Sequence, residues 1–363
     1  MVDVLEILYR LKAEQFPIGH EHAGNVPSTR YHTVFPVSRE EDNVYFISWI
    51  CQCLRRYRHL LSPDELREVD EILLIGKESI LKYRNRYGGP SYNFYRPKEW
   101  FPNGRILSRF RRFQPTDDAD DTAIAYRGWL QESDNARAVK DLFLHQSNKQ
   151  RGRRIARCPK AYRDIPFYNT WIGSEGLFID MDVMVLCNVL TFNAQYDLGI
   201  KAQDQASCEV IKRAFLTREL FDEPWSLACW YPFEEVLLYG LADLLNLDYY
   251  PSLSELRPWL ENELESRQSS GFPKGAKGLL LRNSILKTRL TDWDDLDSGL
   301  EEIILESTDF TFGVIPITHP WNGRFSQWLG GQSIFRMHYR CDAQVIALYW
   351  EYAMLHRERL MTS

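Results

Sequence analysis

The sequence lacks the short motifs that identify several large enzyme classes. Its 363 residues contain no G-x-G-x-x-G, no P-loop and no G-x-S-x-G, and its 8 histidines form neither H-x-x-x-H nor H-E-x-x-H. Motifs therefore give no support for a dinucleotide site, a P-loop nucleotide site, an α/β-hydrolase nucleophile or a zinc-protease site.

The cysteine spacing gives no sign of a disulfide framework or a zinc site. The 7 cysteines include one C-x-C, formed by Cys51 and Cys53, and no C-x-x-C. An odd count at irregular spacing favours reduced, mostly buried thiols in a protein of the cytoplasm.

Long apolar runs and a basic leader segment are also missing. No window reaches 18 apolar residues without a charge, so no transmembrane helix is predicted and any membrane contact would be peripheral. The N-terminal residues show no basic segment before an apolar stretch, so no signal peptide is predicted. The net charge of −6, from 44 Lys and Arg against 50 Asp and Glu, argues against a nucleic-acid partner.

Strand-like alternation is scarce, and helical periodicity dominates the chain. Only 278–281 and 311–315 alternate as strands do, and 91–113 is rich in Pro, Gly and aromatic residues, which predicts a structured loop. The predicted helices are 43–61, 62–83, 120–131, 133–145, 181–192, 204–218, 232–247, 252–267, 294–307 and 333–357. The chain is therefore predicted to be all-α, with roughly ten to twelve helices of ordinary length and no dividing linker.

Aromatic residues are abundant, with 19 Phe, 19 Tyr and 11 Trp. They predict a large aromatic core. The same rings would also suit a cavity whose ring faces stabilise a cation, and the two readings are compatible.

The most informative segment is an aspartate cluster at 117–121, followed by Thr122 and Ala123. Carboxylates a few ångströms apart raise one another's pKa, so one of them tends to keep its proton. A carboxylic acid that stays protonated until an apolar substrate arrives is what protonation of an alkene requires. The alternative is an acidic, solvated first turn of a helix.

From Asp118 the cluster is written D-x-D-D-T-A, and this string resembles the signature of the class II terpene cyclases and the squalene–hopene cyclase group. Weaker resemblance is spread over 42–47, 92–95, 101–104, 169–171 and 182–190. It implies an (α/α)6 toroid of inner and outer antiparallel helices, as a single domain over 1–363. Two features depart from the family: the chain is long enough for only one toroid, and glutamine–tryptophan repeats are not evident. One toroid would have to use its own central cavity, or a second subunit or a loop would have to cover the site.

The resemblance also implies roles for individual residues. The middle aspartate of D-x-D-D donates the proton in the family, which points to Asp120, with Asp118 and Asp121 orienting it. The substrate would be a linear polyprenyl chain, including prenyl diphosphates. The residues expected to contact that substrate are Asp117, Asp180, Asp182, Arg153 and Arg154. Protonation needs no cofactor, although Mg²⁺ could assist with a diphosphate. A homodimer is compatible with this reading.

A second acidic stretch supports a competing reading. Asp294, Ser298 and Glu302 recur every four residues and resemble the second magnesium motif of class I terpene synthases. Asp117-Asp118-x-x-Asp121 resembles their first, although Pro115 stands where those enzymes have continuous helix. Mg²⁺-dependent ionisation of a prenyl diphosphate is therefore the alternative reaction, and a solvated helix face is the alternative structure.

Two further groups of residues have both a functional and a structural interpretation. The basic loop 146–160 suits capture of a diphosphate or contact with anionic lipid, or it is simply solvated; its cations are Lys149, Arg151, Arg153, Arg154, Arg157 and Lys160. Asp180 and Asp182 would steady cationic charge in a cavity, or they mark the start of a helix. A non-catalytic toroid that binds lipid or protein is the remaining alternative.

Overall fold

The structure is a computed structural model that describes residues 3–97, 116–129, 133–150, 158–172, 181–288, 299–308, 310–316, 332, 334 and 336–362. These residues are mostly helical, as predicted for an all-α chain. Their fourteen α-helices are α1 Val4–Glu14, α2 Val44–Arg56, α3 Pro63–Leu81, α4 Ala119–Gly128, α5 Ser133–Gln146, α6 Val183–Gln195, α7 Ala202–Leu216, α8 Glu219–Asp222, α9 Pro224–Leu227, α10 Glu234–Leu245, α11 Leu256–Ser269, α12 Gly275–Thr288, α13 Leu300–Glu306 and α14 Asp342–Thr362. Short 3₁₀ helices cover Arg58–Leu60, Lys160–Tyr162 and Pro251–Leu253.

Side chains just before the helices fix where several of them begin. Ser62 accepts a hydrogen bond from the backbone N–H of Glu65, whose side chain accepts one from the backbone of Ser62. This reciprocal pair is a capping box at the start of the predicted helix 62–83, with Pro63 in the first turn. Asn43 and Asp182 cap α2 and α6 in the same way, because their side-chain oxygens accept free backbone N–H groups of the first turn.

Six helices contact one another in a closed cycle. From α2 the contacts run to α4, α6, α10, α12 and α14, and α14 contacts α2 again. Residues 183–193 of α6 and 236–245 of α10 are buried on every face, which is expected of helices that have other elements on all sides. Helices α2 and α4 approach closely at Gly128, where a Cβ atom would lie 2.4 Å from the Ser48 carbonyl oxygen.

Other helices pack outside this cycle. Helix α3 contacts α2, and α1 contacts both α3 and α14. Helix α7 contacts α6, α11 contacts α10 and α12, and α13 contacts α12 and α14. The cycle is therefore backed on several sides by a second set of helices.

A four-stranded antiparallel sheet was not predicted. Its strand order is β2-β1-β6-β5, where β1 is Ser28–Tyr31, β2 is Ser38–Glu41, β5 is Val314–Pro316 and β6 is Arg336–Arg340. The predicted helix 333–357 is therefore wrong at its N-terminal end, because 336–340 pair with β1 and β5 and the helix begins only at Asp342. The predicted strand at 311–315 is confirmed in part by β5.

The predicted strand-like segment 278–281 is wrong. It lies inside α12, where Leu279, Leu280 and Leu281 are all buried. A short continuous apolar run fits a strand and a fully buried helix equally well, so periodicity could not separate the two.

A second sheet has only two strands and lies at the aspartate cluster. Strand β3, Asp117–Asp118, pairs antiparallel with β4, Trp171–Ile172, and Asp118 also forms a bridge with Tyr92. The backbone N–H of Ala119 donates to the carbonyl oxygen of Thr170 at 2.8 Å. Two loops thus hold the chain just before α4 in place.

Candidate active site

The aspartate cluster forms the start of α4, a member of the six-helix cycle. Asp118 is the N-cap: its Oδ1 accepts hydrogen bonds from the backbone N–H groups of Asp120 at 2.6 Å and Asp121 at 3.3 Å. Thr122 donates its hydroxyl to the Asp118 carbonyl oxygen at 2.5 Å and accepts from the Tyr92 backbone N–H at 2.9 Å. The residues of the D-x-D-D-T string therefore fix one another's positions.

Asp120 points into the protein and is held by two side-chain donors. Only 3% of the residue is exposed. Its Oδ1 accepts a hydrogen bond from Asn188 Nδ2 of α6 at 2.6 Å, and its Oδ2 accepts one from the Tyr231 hydroxyl, just before α10. The acidic, solvated helix turn considered as an alternative does not describe this carboxyl.

Of Asp118, Asp120 and Asp121, Asp120 is the most acidic. Burial raises the pKa of Asp120 to about 6, while the hydrogen bonds from Tyr231 and Asn188 and the charge of Arg127 work in the opposite direction. Burial and the charge of Asp120 hold the pKa of Tyr231 well above its ordinary range, so the phenol remains a donor.

The two flanking carboxyls favour the protonated form more strongly. Burial and then the neighbouring charges of Asp118, Asp120 and Asp117 raise the pKa of Asp121 well above its ordinary value, and the residue is only 2% exposed. Burial and the charge of Asp120 likewise raise the pKa of Asp118. Burial, more than the close spacing of the carboxyls, therefore favours the protonated forms of Asp118 and Asp121, and the charges of their neighbours add to this effect.

Asp182 links α6 to the chain segment that carries Tyr231. Its Oδ1 accepts from the backbone N–H groups of Met184 at 2.9 Å and Val185 at 3.4 Å, and its Oδ2 accepts from that of Trp230 at 3.0 Å. Burial is the main cause that raises the pKa of Asp182 to about 7. Asp182 is thus a helix cap that also positions the residue next to Tyr231.

Asp117 faces a different set of partners. Its carboxyl accepts hydrogen bonds from Asn85, Ser91 and, at 3.4 Å, Asn93. These residues lie around the end of α3 and the following turn, so Asp117 anchors that loop against β3.

Aromatic rings lie beside Asp120. Tyr45 and Phe312 each place a ring centroid about 6 Å from that of Tyr231, at 5.9 and 6.0 Å, and Trp49 lies 6.0 Å from Phe312. Burial raises the pKa of the Tyr45 phenol well above its ordinary value, and a hydrogen bond with Tyr231 acts in the opposite direction. The acid is thus next to several ring systems.

A group of charged side chains connects five helices of the six-helix cycle to one another. We call it the ring network; its members are Arg56 of α2, Arg127 of α4, Asp243 of α10, Lys287 of α12 and Glu351 of α14. Arg127 Nη2 lies 2.6 Å from Asp243 Oδ2, and Lys287 Nζ lies 2.9 Å from Glu351 Oε1. Arg127 Nη1 also donates to Asn188 Oδ1 at 3.2 Å, so α6 is connected as well.

Several predicted residues fall outside the described part of the chain. They are Asp180, Arg151, Arg153, Arg154, Arg157, Asp294, Ser298, Pro115 and the loop residues 98–113. Of the second predicted magnesium motif, only Glu302 is described, and it is exposed on α13. Lys149 and Lys160 flank the undescribed part of the basic loop, and Lys149 pairs with Asp164 at 3.0 Å.

The described residues show neither a metal-binding cluster nor a membrane-spanning helix. No group of three or more His, Cys, Asp or Glu residues among them is arranged to hold a metal ion. Nor is any described helix long and apolar enough to cross a membrane.

Sequence reasoning missed the partners of Asp120. Asn188 lies within the predicted helix 181–192, but nothing in that apolar segment assigned it a role. The one available signal was the spacing of Asp120 and Arg127, since residues seven apart share a helix face. Tyr231 and Asp243 lie far away in sequence, and only the fold brings them to α4.

Comparison of the chain with protein-family models gives no match, and comparison with curated proteins gives none either. The site is therefore interpreted from its own geometry.

Proposed function

We propose that this protein is a protonation-initiated cyclase of a linear polyprenyl substrate, with Asp120 as the proton donor. The observation that carries the proposal is the environment of Asp120: a buried carboxyl, hydrogen-bonded by Asn188 and Tyr231, beside aromatic rings and two carboxyls of higher pKa. An acid in this setting can protonate an alkene in the absence of bulk water.

The proposed reaction begins with transfer of the Asp120 proton to a terminal C=C bond. The alkene's π electrons form the new C–H bond, and the other carbon becomes a tertiary cation. The next double bond of the chain attacks that cation and closes a ring. Loss of a proton from the final cation, or addition of water, ends the reaction, and a diphosphate head group would be retained.

The residues around Asp120 fit the two charge states that this reaction creates. Hydrogen bonds from Asn188 and Tyr231 stabilise the carboxylate left behind after proton transfer. The rings of Tyr45, Trp49 and Phe312 offer π faces that attract a cation. Asp118 caps the start of α4. Asp121 is protonated and neutral, so it does not repel the negative charge on the ionised Asp120.

We further infer that the closed cycle of α2, α4, α6, α10, α12 and α14 is the inner ring of an (α/α)6 toroid. The second set of helices outside it supports this assignment. In such a toroid, Asp120 would lie at the wall of the central space, and 1–363 would form one domain.

Incubation with linear prenyl diphosphates in D₂O tests the proposal, because protonation by Asp120 adds one solvent-derived deuterium to each product. We expect cyclic diphosphates that are one mass unit heavier than those made in H₂O, with EDTA slowing the reaction at most in part. Stoichiometric pyrophosphate release that depends strictly on Mg²⁺ would replace this proposal with class I chemistry. Binding without conversion of diphosphates or of a linear polyprenyl hydrocarbon would favour a non-catalytic protein.

A further inference from the structure

Apart from Arg56, which is partly exposed, the ring network is buried more completely than ordinary ion pairs are, and it contains more positive than negative groups. Lys287 is 1% exposed and Glu351 is 0% exposed. Counted in their ordinary ionised forms, Arg56, Arg127 and Lys287 contribute three positive charges, and Asp243 and Glu351 contribute two negative ones. Its described members therefore sum to one uncompensated positive charge.

Hydrogen bonds within the network hold each of these groups in place. Arg56 donates to Asp243, and Lys287 Nζ lies 3.3 Å from the same carboxyl. Glu351 Oε2 accepts from the Tyr239 hydroxyl at 2.7 Å and from Asn283 Nδ2 at 3.1 Å. The Lys287 ammonium also lies 3.7 Å from the centre of the Tyr239 ring. Positions fixed in this way give the network a constant electrostatic effect on its surroundings.

A short chain of hydrogen bonds connects this network to the acid. Arg127 Nη1 donates to Asn188 Oδ1, and Asn188 Nδ2 donates to Asp120 Oδ1. Arg127 and Asp120 lie on the same helix, seven residues or about 10 Å apart along its axis. A proton leaving Asp120 adds one negative charge next to Asn188, which balances the positive charge that the network carries in excess.

We propose that the ring network is a positioning and charge-balancing device that strengthens Asp120 as an acid. This inference rests on the proposed function, because it assigns the network's role in the same protonation step. The residues of the network touch neither substrate nor reacting atoms and act through Arg127 and Asn188.

Other groups also face Asp120, and they act in addition to the network. Its own segment supplies Asp118 and Asp121, and α6 supplies Asp182. Helix α2 contributes the Tyr45 phenol, and the segment before α10 contributes Tyr231. All of these stay unchanged in the variants below, so any shift in the acidity of Asp120 reports the network.

The test changes the network charge in both directions and then restores it. Lys287→Met lowers the net charge by one, Asp243→Asn raises it by one, and the double variant returns it to the original value. Neither residue contacts Asn188 directly. We expect the acid dissociation constant of Asp120 to fall roughly tenfold in Lys287→Met, to rise roughly tenfold in Asp243→Asn and to return near the original value in the double variant.

Two readouts separate this inference from the proposed function. Infrared difference titration, using Asp120→Asn as the reference, follows the protonated carboxyl band without any substrate. The pH dependence of kcat/KM for cyclisation gives the second value. Opposite infrared shifts without any cyclisation would support the charge coupling and reject the enzyme assignment. Equal or absent shifts in correctly folded variants would reject the network's role whether or not the protein is a cyclase.

Loss of a buried charge can unfold a protein, so a matched control is needed. Lys140 of α5 is also buried and pairs with Asp204 at 2.9 Å, outside the ring network. Lys140→Met should cost comparable stability and leave the infrared band of Asp120 where it is. If Lys140→Met moved that band as far as Lys287→Met, a general structural effect would explain the result and the inference would fail. If Lys287→Met or Asp243→Asn does not fold, Glu351→Gln, which also raises the net charge by one, should raise the acid dissociation constant of Asp120 above that of the charge-balanced double variant. Equal values in these two folded variants would reject the inference.

Discussion

Two groups of buried carboxyls in this protein behave in opposite ways. At the start of α4, burial raises the pKa of Asp118, Asp120 and Asp121. In the ring network, burial also disfavours the charge of Asp243, yet Arg56, Lys287 and Arg127 hold the pKa of that carboxyl well below its ordinary range. The difference shows that burial alone does not decide the charge of a carboxyl: the nearest partners do.

The two groups therefore contribute to stability with opposite dependence on pH. Asp243 is more acidic in the folded state, so its contribution is present at neutral pH and is lost as pH falls below the ordinary aspartate range. The α4 cluster is less acidic when folded, so it holds protons that the unfolded chain has already released. Its members thus reduce stability as pH rises from about 4 towards the folded-state pKa of about 6 for Asp120.

The largest expected effect removes the acid itself. Asp120→Asn keeps the shape of the side chain and cannot donate a carboxylic proton, so kcat should fall by about 10³-fold or more. Turnover of a prenyl diphosphate, with thermal unfolding as a check on the fold, measures this. A variant that cyclises substrate at the wild-type rate would show that Asp120 is not the donor.

The next largest expected effect is a loss of stability that distinguishes Asp243, which is paired with cations, from the protonated carboxyls of the α4 cluster. Asp243→Ala leaves Arg56, Arg127 and Lys287 with one buried carboxylate and should cost about 3 to 5 kcal/mol in unfolding free energy at pH 7. Asp121→Ala has no ion pair to break and should cost much less. Denaturant unfolding of both variants measures the difference, and similar losses would contradict the contrast between the two groups.

Activity should depend on pH in a manner set by the hydrogen bonds to Asp120. The donor must be protonated, so kcat/KM should fall as pH rises through about 6, in line with the pKa of Asp120. Tyr231→Phe removes a hydrogen bond that favours the carboxylate, so the fall should move to higher pH and the maximal rate should drop by about tenfold.

Tyr45→Phe is the matched control for that experiment. Tyr45 belongs to the same aromatic group, but the side chains that donate to the Asp120 carboxyl among the described residues are Asn188 and Tyr231, not Tyr45. Its removal should shift the pH profile less than the Tyr231 change does. Equal shifts would mean that the Tyr231 hydroxyl has no special effect on Asp120.

The smallest expected effect is a gain in stability. Asp121→Asn replaces a carboxyl whose pKa is raised by burial and by its acidic neighbours. The variant should be at least about 1 kcal/mol more stable than the wild type at pH 8, and the difference should disappear near pH 4. Urea unfolding at the two pH values measures it; a constant difference would show that the carboxyl's titration is not the cause.

The sequence predicted the helical class, most helix positions and the start of a helix at the aspartates. Patterns of this kind are local: the capping box at Ser62 and the helix start at Asp118 need only a few neighbouring residues. Helix α1 was overlooked, although Val4, Ile7, Leu8 and Leu11 are buried at helical spacing. The alternation of Met337 and Tyr339 in β6 is five residues long, too short to stand out before a long helix.

The partners of Asp120 could not be predicted, because they depend on which helices meet. Tyr231 reaches Asp120 over 111 residues of sequence, and Arg127 reaches Asp243 over 116. A single tyrosine or arginine in a helical segment has no pattern that reveals such a contact. The same holds for Lys287 and Glu351, which as isolated residues would be expected on the surface.

Closure of the helix cycle between α2 and α14 has a consequence for how the protein is made. Arg56 and Glu351 are 295 residues apart, and α14 is the last described helix. During synthesis the three cations of the ring network emerge before Glu351. Until Glu351 follows, Asp243 is the one carboxylate of this network that can pair with them. Contacts between such distant segments form slowly. The ring network is therefore completed late in folding, when α14 packs against α2.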